Sequence, residues 1–259
     1  MSKIELYGYA TSPYVRKVGC FLYFKKLDFD FVPVNPIAAA EALEFVGGTQ
    51  VPVLMIDGEP RRESSELAHW LDERFPDRPL CPAAHRQKID EIDKWISETF
   101  LTSIFRSAID GERNLQFRFR LWRLASLVSA HTPMPEQVRH LWPDFVAHAP
   151  FVQTMKAHMD LSESLQDMTL RIGLELAGHI GDGPFIGGFE TPTMLDLAVL
   201  PQLVFPVMFG LEETLSAGRH PVIKAWIERM TEHLPENPTL VADTMQVKSL
   251  IVALTELGE

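Results

Sequence analysis

Apolar and polar residues alternate through Ile4-Glu5-Leu6-Tyr7 at the period of a strand. A short polar turn, Ala10-Thr11-Ser12, follows. Pro13 then suits the first turn of a helix, where its missing N–H costs nothing. Val15, Val18, Gly19 and Leu22 recur at i, i+3, i+4 and i+7, one apolar helix face. Asp28 to Val34 alternates again, and Pro33 within it marks an edge strand. Pro36 to Val46 reads as a short helix that Gly47-Gly48-Thr49 ends. Val51-Pro52-Val53-Leu54-Met55-Ile56 is a third strand. Asp57-Gly58 is a hairpin signal, so residues 59–62 should pair antiparallel with it. Ser64-Ser65 opens a helix whose buried face is Leu67, Ala68, Leu71 and Phe75. The order is βαβ followed by ββα.

Three prolines and a cluster of charges between Pro76 and Pro82 place a linker there. Beyond Arg86 strand signals almost vanish. Ile89, Ile92, Ile96 and Phe100 mark a helix that continues to Ile109, and Leu115 to Ala130 a second. Residues 136–160 are helical but poorly periodic, with Pro143 and Pro150 as interruptions. Ser162 to His179 is helical, and a glycine-rich loop spans 181–188. Thr193 starts a helix with Asp196 three residues on as a capping-box partner. Pro221 starts another, and Asn237-Pro238 a last one. The expected class is an α/β unit at 1–80 and an all-helical unit at 86–259.

Composition narrows the function classes. The 259 residues are 46% hydrophobic and 23% charged, enough to pack a core. A net charge of −11 argues against nucleic acid or an anionic membrane as partner. Cys20 and Cys81 are the only cysteines, which fits a reducing compartment rather than a disulfide framework. The longest apolar tract, Met194 to Phe209, contains Asp196, Pro201, Gln202 and Pro206 and is too short for a membrane span. It reads as a buried core helix. The chain runs into its first strand without a basic segment and apolar run, so no secretory leader and a cytoplasmic location are expected.

The candidate chemistry starts at Ser12. A hydroxyl at a helix start either caps its own helix or donates to a bound anion, because free N–H groups and the positive dipole end collect there. Other constellations fall away. The nine histidines form no metal motif, and His140, His148 and His158 have no ligand spacing, so no metal is expected. The aromatic and arginine run from Arg113 to Arg123 fits an amphipathic helix better than an RNA reader in an acidic chain. Cys20 reads as a small buried hydrophobe.

Four stretches together resemble the glutathione S-transferase family. Thr11-Ser12-Pro13-Tyr14-Val15-Arg16-Lys17 resembles the first helix turn of bacterial members, with serine where omega-type and glutaredoxin-like relatives carry Cys-Pro-Phe. Gln50-Val51-Pro52 resembles the family's Val-Pro, whose prolyl bond is cis. Glu63-Ser64 resembles the Glu/Gln-Ser that opens the third helix. Thr193-Met194-Leu195-Asp196, after Pro184-Phe185-Ile186-Gly187-Gly188, resembles the capping box of the second domain.

The resemblance implies a thioredoxin-like first domain, an all-α second domain and glutathione as co-substrate. Val51 would pair its main chain with the cysteinyl part, exposed by Pro52. Ser64 would hold the γ-glutamyl carboxylate, Glu63 the ammonium, and Gln50 the other end. Ser12 would activate the thiol, with Thr11 the close rival and Tyr7 a weaker one. Arg16 and Lys17 would add positive potential, unless Lys17 faces solvent. A thiol pKa of about 8.5 needs roughly 2 kcal/mol to reach about 7. One charge-assisted hydrogen bond contributes about 1.5–3 kcal/mol, so neither a metal nor a general base is needed. Serine cannot form a mixed disulfide, which favours transfer to an apolar electrophile over thiol reduction. Phe100, Ile104, Phe105, Trp122 and Met208 are candidates to line that electrophile's pocket, near Tyr14. A homodimer is implied. A lyase, dehalogenase or isomerase, or a non-catalytic scaffold of the same fold, are the alternatives.

Overall fold

The computed structural model describes residues 2–36, 38–109, 115–129, 135–137, 141, 159, 161–211, 220–235 and 237–258. Strand β1 (Ile4–Gly8) leads into α1 (Pro13–Phe24), then β2 (Asp30–Pro33) and the short α2 (Ala39–Ala42). Strands β3 (Val53–Ile56) and β4 (Glu59–Arg61) precede α3 (Ser64–Arg74). The sheet order is β2-β1-β3-β4, with β1 parallel to β2 and antiparallel to β3, and β3 antiparallel to β4. Pro33 lies on the edge strand, where no ladder donor is lost on the outer side. Asp57 and Gly58 both have positive φ, 52° and 87°, as a two-residue hairpin turn requires.

One sheet face is covered by α1 and α3, through Leu6, Val15, Val18, Leu22, Leu67 and Leu71. Gly8 permits the close approach of α1: a Cβ there would lie 2.5 Å from Val15 Cγ2. The other face carries a smaller cluster of Val34, Ala39, Leu43 and Val53, with Tyr7 packed against it.

The remaining described elements are helical. Helix α4 (Arg86–Trp95) runs through a π turn (Ile96–Phe100) into α5 (Leu101–Ile109), so the expected single helix carries a local widening. Helices α6 (Leu115–Val128), α7 (Leu165–Ile180), α8 (Met194–Met208), α9 (Pro221–Met230) and α10 (Leu250–Gly258) follow. Residues 111–114 and most of 136–160, for which interruptions and irregular helix were expected, lie outside the described residues.

Every residue of α8 is buried, Pro201 and Pro206 included. Packing on all sides outweighs the two intrahelical bonds that these prolines forgo. No described helix is long and apolar enough to cross a membrane. The capping box forms as expected. Thr193 Oγ1 accepts from Leu195 N at 3.3 Å, and Asp196 Oδ2 accepts from Thr193 N at 2.9 Å. Asp196 Oδ1 also accepts from Ile186 N at 2.9 Å and from the Trp226 indole at 2.7 Å. One carboxylate therefore joins the 181–188 loop, the start of α8 and the middle of α9. Burial pushes its pKa up to about 6, while these donors pull it down.

The linker is held at both ends. Asp72 accepts from Leu80 N (2.9 Å), Cys81 N (2.7 Å) and Lys25 Nζ (2.6 Å). Leu80 O in turn accepts from Met194 N at 2.9 Å. One expected element is absent. Asn237-Pro238 starts no helix, because the Asn237 side chain closes a local turn. Its Oδ1 accepts from Thr239 N, and its Nδ2 donates to Val241 O at 2.6 Å. The last helix begins at Leu250 instead.

Between β4 and α3 the chain passes through Glu63 with φ 65° and ψ 98°, the left-handed side that L-residues avoid.

Two expectations follow. Asp196→Ala strands three buried donors and removes the capping box, and should cost about 3 kcal/mol or more, read from the urea midpoint. At position 63 the usual order reverses: Glu63→Gly should be more stable than Glu63→Ala by about 1 kcal/mol, because only glycine takes positive φ freely. Calorimetric melting of the two variants checks it.

Candidate functional site

The register of the sheet brings the sequence-predicted residues to one end. Leu54 pairs with Arg61 and Tyr7 with Val53. Val51, three residues before Leu54, and Ser64, three after Arg61, therefore stand at the same level, beyond the end of β1. The turn that enters α1 lies at that end too. The second turn of α1 also reaches the start of α3: Lys17 Nζ donates to Ser65 Oγ at 3.2 Å. Two helix starts, with their free N–H groups and positive dipole ends, thus flank one spot.

Ser12 occupies the N-cap position of α1 with extended backbone, yet its hydroxyl makes no capping hydrogen bond. The capping reading therefore fails, and the oxygen of this largely buried residue stays uncommitted to its own helix. Ser12 N donates to Tyr9 O at 2.9 Å, which fixes the turn. Thr11 is half-buried in that turn. Tyr7 is elsewhere: it lies on the opposite sheet face, 5.2 Å from the Phe45 ring. This removes it from the group near α1.

The Val51–Pro52 bond is cis. Val51 is half-buried and lies outside the ladder, which starts at Val53. Its main chain is left unpaired by the sheet, as an extended ligand needs. Gln50 is exposed beside it. Arg62, which the sequence did not single out, reaches the same loop. Its Nη1 lies 2.6 Å from where a Cβ on Gly48 would stand, which places the guanidinium over that loop. Glu63 is exposed, and Ser64 is buried at the first position of α3.

Arg16 and Lys17 differ from expectation. Lys17 does not face solvent: it is fully buried, and its ammonium donates to Asp93 Oδ1 at 2.6 Å. Ser65 Oγ donates to the other oxygen of Asp93. The charge of Lys17 is thus spent on tying α1 and α3 to α4. Arg16 is buried as well, against Gln202 of α8 and over the Phe205 ring at 3.9 Å. Asp93 was detectable in principle. It sits at i+4 from Ile89, on the apolar face of its own helix, where an acid needs a partner. Gln202 is likewise a polar residue inside an apolar tract.

Tyr14 is half-buried, and its phenol is pushed up by burial and by the carboxylates of Asp93 and Glu63. It therefore stands within the field of both the α3 start and α4. Of the residues expected to line an electrophile pocket, Phe100 and Met208 are fully buried in the continuous core and Ile104 nearly so. Trp122 is 43% exposed and packs on Phe119. The first three are structural. Both cysteines are buried, and burial holds their thiols well above the usual range.

Comparison with known proteins bears on the family and the fold. The model for the glutathione S-transferase N-terminal domain matches residues 6–79, the four-stranded part and its helices. Prostaglandin E synthase 2 of Danio rerio is 34% identical over 275 aligned residues, covering 90% of this chain and 72% of that protein. A zeta-class glutathione S-transferase of Euphorbia esula is 29% identical over 156 residues, 58% of this chain and 64% of that one. Among solved structures, human glutathione transferase theta-2, in complex with glutathione, superposes with a TM-score of 0.58 at 20% identity. That superposition spans 98% of this chain and 88% of the other, and shows a shared fold. With a relative matched at 34% over most of both sequences, and the family model lying on the part that carries Ser12, Val51 and Ser64, the chain belongs to the glutathione S-transferase family.

Proposed function

We propose that the protein is a glutathione transferase: glutathione binds along the sheet end at residues 1–80, and its sulfur attacks an apolar electrophile held by the helical part, 86–259. Membership of the family carries a glutathione-dependent role; the choice of conjugation is ours. The observation that carries the reading is the Ser12 hydroxyl, placed at a helix start and free of any capping bond.

The parts divide the work by chemistry. The main chain of Val51, bared ahead of β3, pairs with the cysteinyl residue as an added strand would. The start of α3 takes the γ-glutamyl carboxylate through Ser64 and its N–H groups, and Glu63 takes the ammonium. At the far end Gln50, with the Arg62 guanidinium beside Gly48, receives the glycyl carboxylate. The sulfur then meets the α1 start, where Ser12 donates to the thiolate, with Thr11 half-buried next to it as the rival donor. Transfer breaks the bond from the electrophile's carbon to its leaving group, or opens a ring or double bond, and forms a carbon–sulfur bond. The thiol proton passes to solvent. The protein acts as a homodimer in the cytoplasm.

The name of the Danio rerio relative, a synthase, favours a second reading, in which glutathione assists a reaction other than conjugation and is not consumed. The stoichiometry separates the two, because conjugation uses one glutathione per product.

Titration calorimetry at millimolar glutathione should show binding to the wild type, and its absence would sink both readings. Ser12→Ala should lower kcat/KM about 10- to 100-fold against an aryl halide, with the KM for glutathione little changed, since one charge-assisted hydrogen bond is lost. A loss of that size in Thr11→Ala but not Ser12→Ala would transfer the role to Thr11. Binding with no turnover on aryl halides, epoxides or enones would instead mark a scaffold.

A further inference from the structure

Two of the buried cations in α1 and just after it have anions: Lys17 meets Asp93 and Lys25 meets Asp72. Arg16 has none. It is 2% exposed, and its acceptors are neutral. Gln202 Oε1 takes hydrogen bonds from Nε at 3.0 Å and Nη2 at 2.7 Å, and Ala10 O takes one from Nη1 at 2.8 Å. The Phe205 ring lies under the guanidinium at 3.9 Å. Burial pushes the pKa of Arg16 down to about 9, so it stays cationic at neutral pH. Cys20, the titratable neighbour on α1, is kept neutral by its own burial. From α8 the facing groups are the Gln202 amide and the Phe205 ring, neither of them charged.

A buried cation without an anion is costly, and the remedy is close in sequence space. Glutamate at 202 would offer an accepting oxygen at the same place, with a charge. Glutamine instead has its carbonyl on Arg16 while its amide donates to Pro13 O at 3.1 Å and Ala198 O at 3.2 Å. Those two acceptors fix which way the amide points. Glutamine therefore holds the guanidinium in place and leaves its charge unspent. Arg16 is anchored to Ala10 O, two residues before Ser12, and Gln202 to Pro13 O, one residue after it. The unspent charge is thus fastened on both sides of the hydroxyl assigned to the thiol.

We infer that Gln202 keeps Arg16 without a counter-ion so that the field of the guanidinium favours the anionic form of a thiol held beside Ser12. Arg16 acts through its field, and Gln202 is a positioning residue through which the helical part sets the reactivity of the sulfur. The inference rests on the proposed glutathione site for its purpose but not for its test. Other groups near that spot are accounted for. The Asp93 charge is met by Lys17, the Tyr9 and Tyr14 phenols are pushed up and so neutral, and Glu63 opposes the effect from the α3 start.

The test places a reporter thiol at the spot. In a Ser12→Cys background, the rate of alkylation by iodoacetamide is followed against pH, with the modified site read by mass spectrometry. Cys20 and Cys81 are buried and distinguishable by mass. Three versions are compared: glutamine at 202, Gln202→Glu and Gln202→Leu. The glutamate adds a counter-ion, and the leucine removes the same hydrogen bonds without one. Gln202→Glu should raise the apparent pKa of the introduced thiol by on the order of one unit, and Gln202→Leu by much less. No rise with Gln202→Glu, or an equal rise in both, overturns the inference. Should Gln202→Glu fail to fold, Arg16→Gln in the same background reads the same charge and should raise the pKa likewise; no rise there overturns it too. The reporter needs no glutathione, so a protein that fails to bind the tripeptide but shows the shift refutes the function and leaves the inference standing. With Ser12 restored, ultraviolet absorbance of bound glutathione thiolate should titrate in the same order.

Discussion

The packing of α1 against α8 is the constraint on which the rest of the molecule depends. Helix α8 is enclosed on every face, so it has no surface of its own and serves as the post around which other helices stand. Helix α1 lies between that post and the sheet, which accounts for its burial on nearly all sides, including Arg16 and Lys17. A helix squeezed in this way cannot send its cations to water. Each must find an acceptor on a neighbouring element, and those acceptors are what knit the two parts of the chain together. Removing the helical part would leave Arg16, Lys17 and the apolar stripe of α1 facing solvent.

This arrangement also decides where chemistry can occur. At its start α1 is only half-buried, at Pro13 and Tyr14, because the sheet ends there and α3 begins there. Free N–H groups from two helices and the bared main chain before β3 converge on the opening. The strained backbone at Glu63 is the cost of turning the chain out of β4 and into α3 over so short a distance. In the proposed site, the exposed acid held in that conformation would meet the ammonium of the ligand.

Much of the fold was legible because its signals are local. The alternation in β1, the Asp57-Gly58 turn, the proline at the first turn of α1 and the Thr193/Asp196 capping box all act within a few residues, and each appears as read. The candidate residues Ser12, Val51 and Ser64 were picked out through motif and order, and the fold brings them to one end of the sheet. What escaped was set by partners far away in sequence. Lys17 looked free to face water because Asp93 lies 76 residues on, and the acceptor of Arg16 lies 186 residues on. Asn237-Pro238 looked like a helix start, but the same side chain that caps a helix also closes a turn, and Thr239 and Val241 took it first.

The linker bears on how molecules enter and leave. With Asp72 gripping Leu80 and Cys81, and Leu80 fastened to the first residue of α8, the chain has no slack where the α/β part gives way to helices. A clamshell motion about that joint would have to tear both fastenings and uncover the burial shared by α1 and α8. Under the proposed function, glutathione and its electrophile would therefore reach Ser12 without the two parts swinging apart, with side chains and loops doing the yielding, and turnover would not wait on a motion of one half against the other.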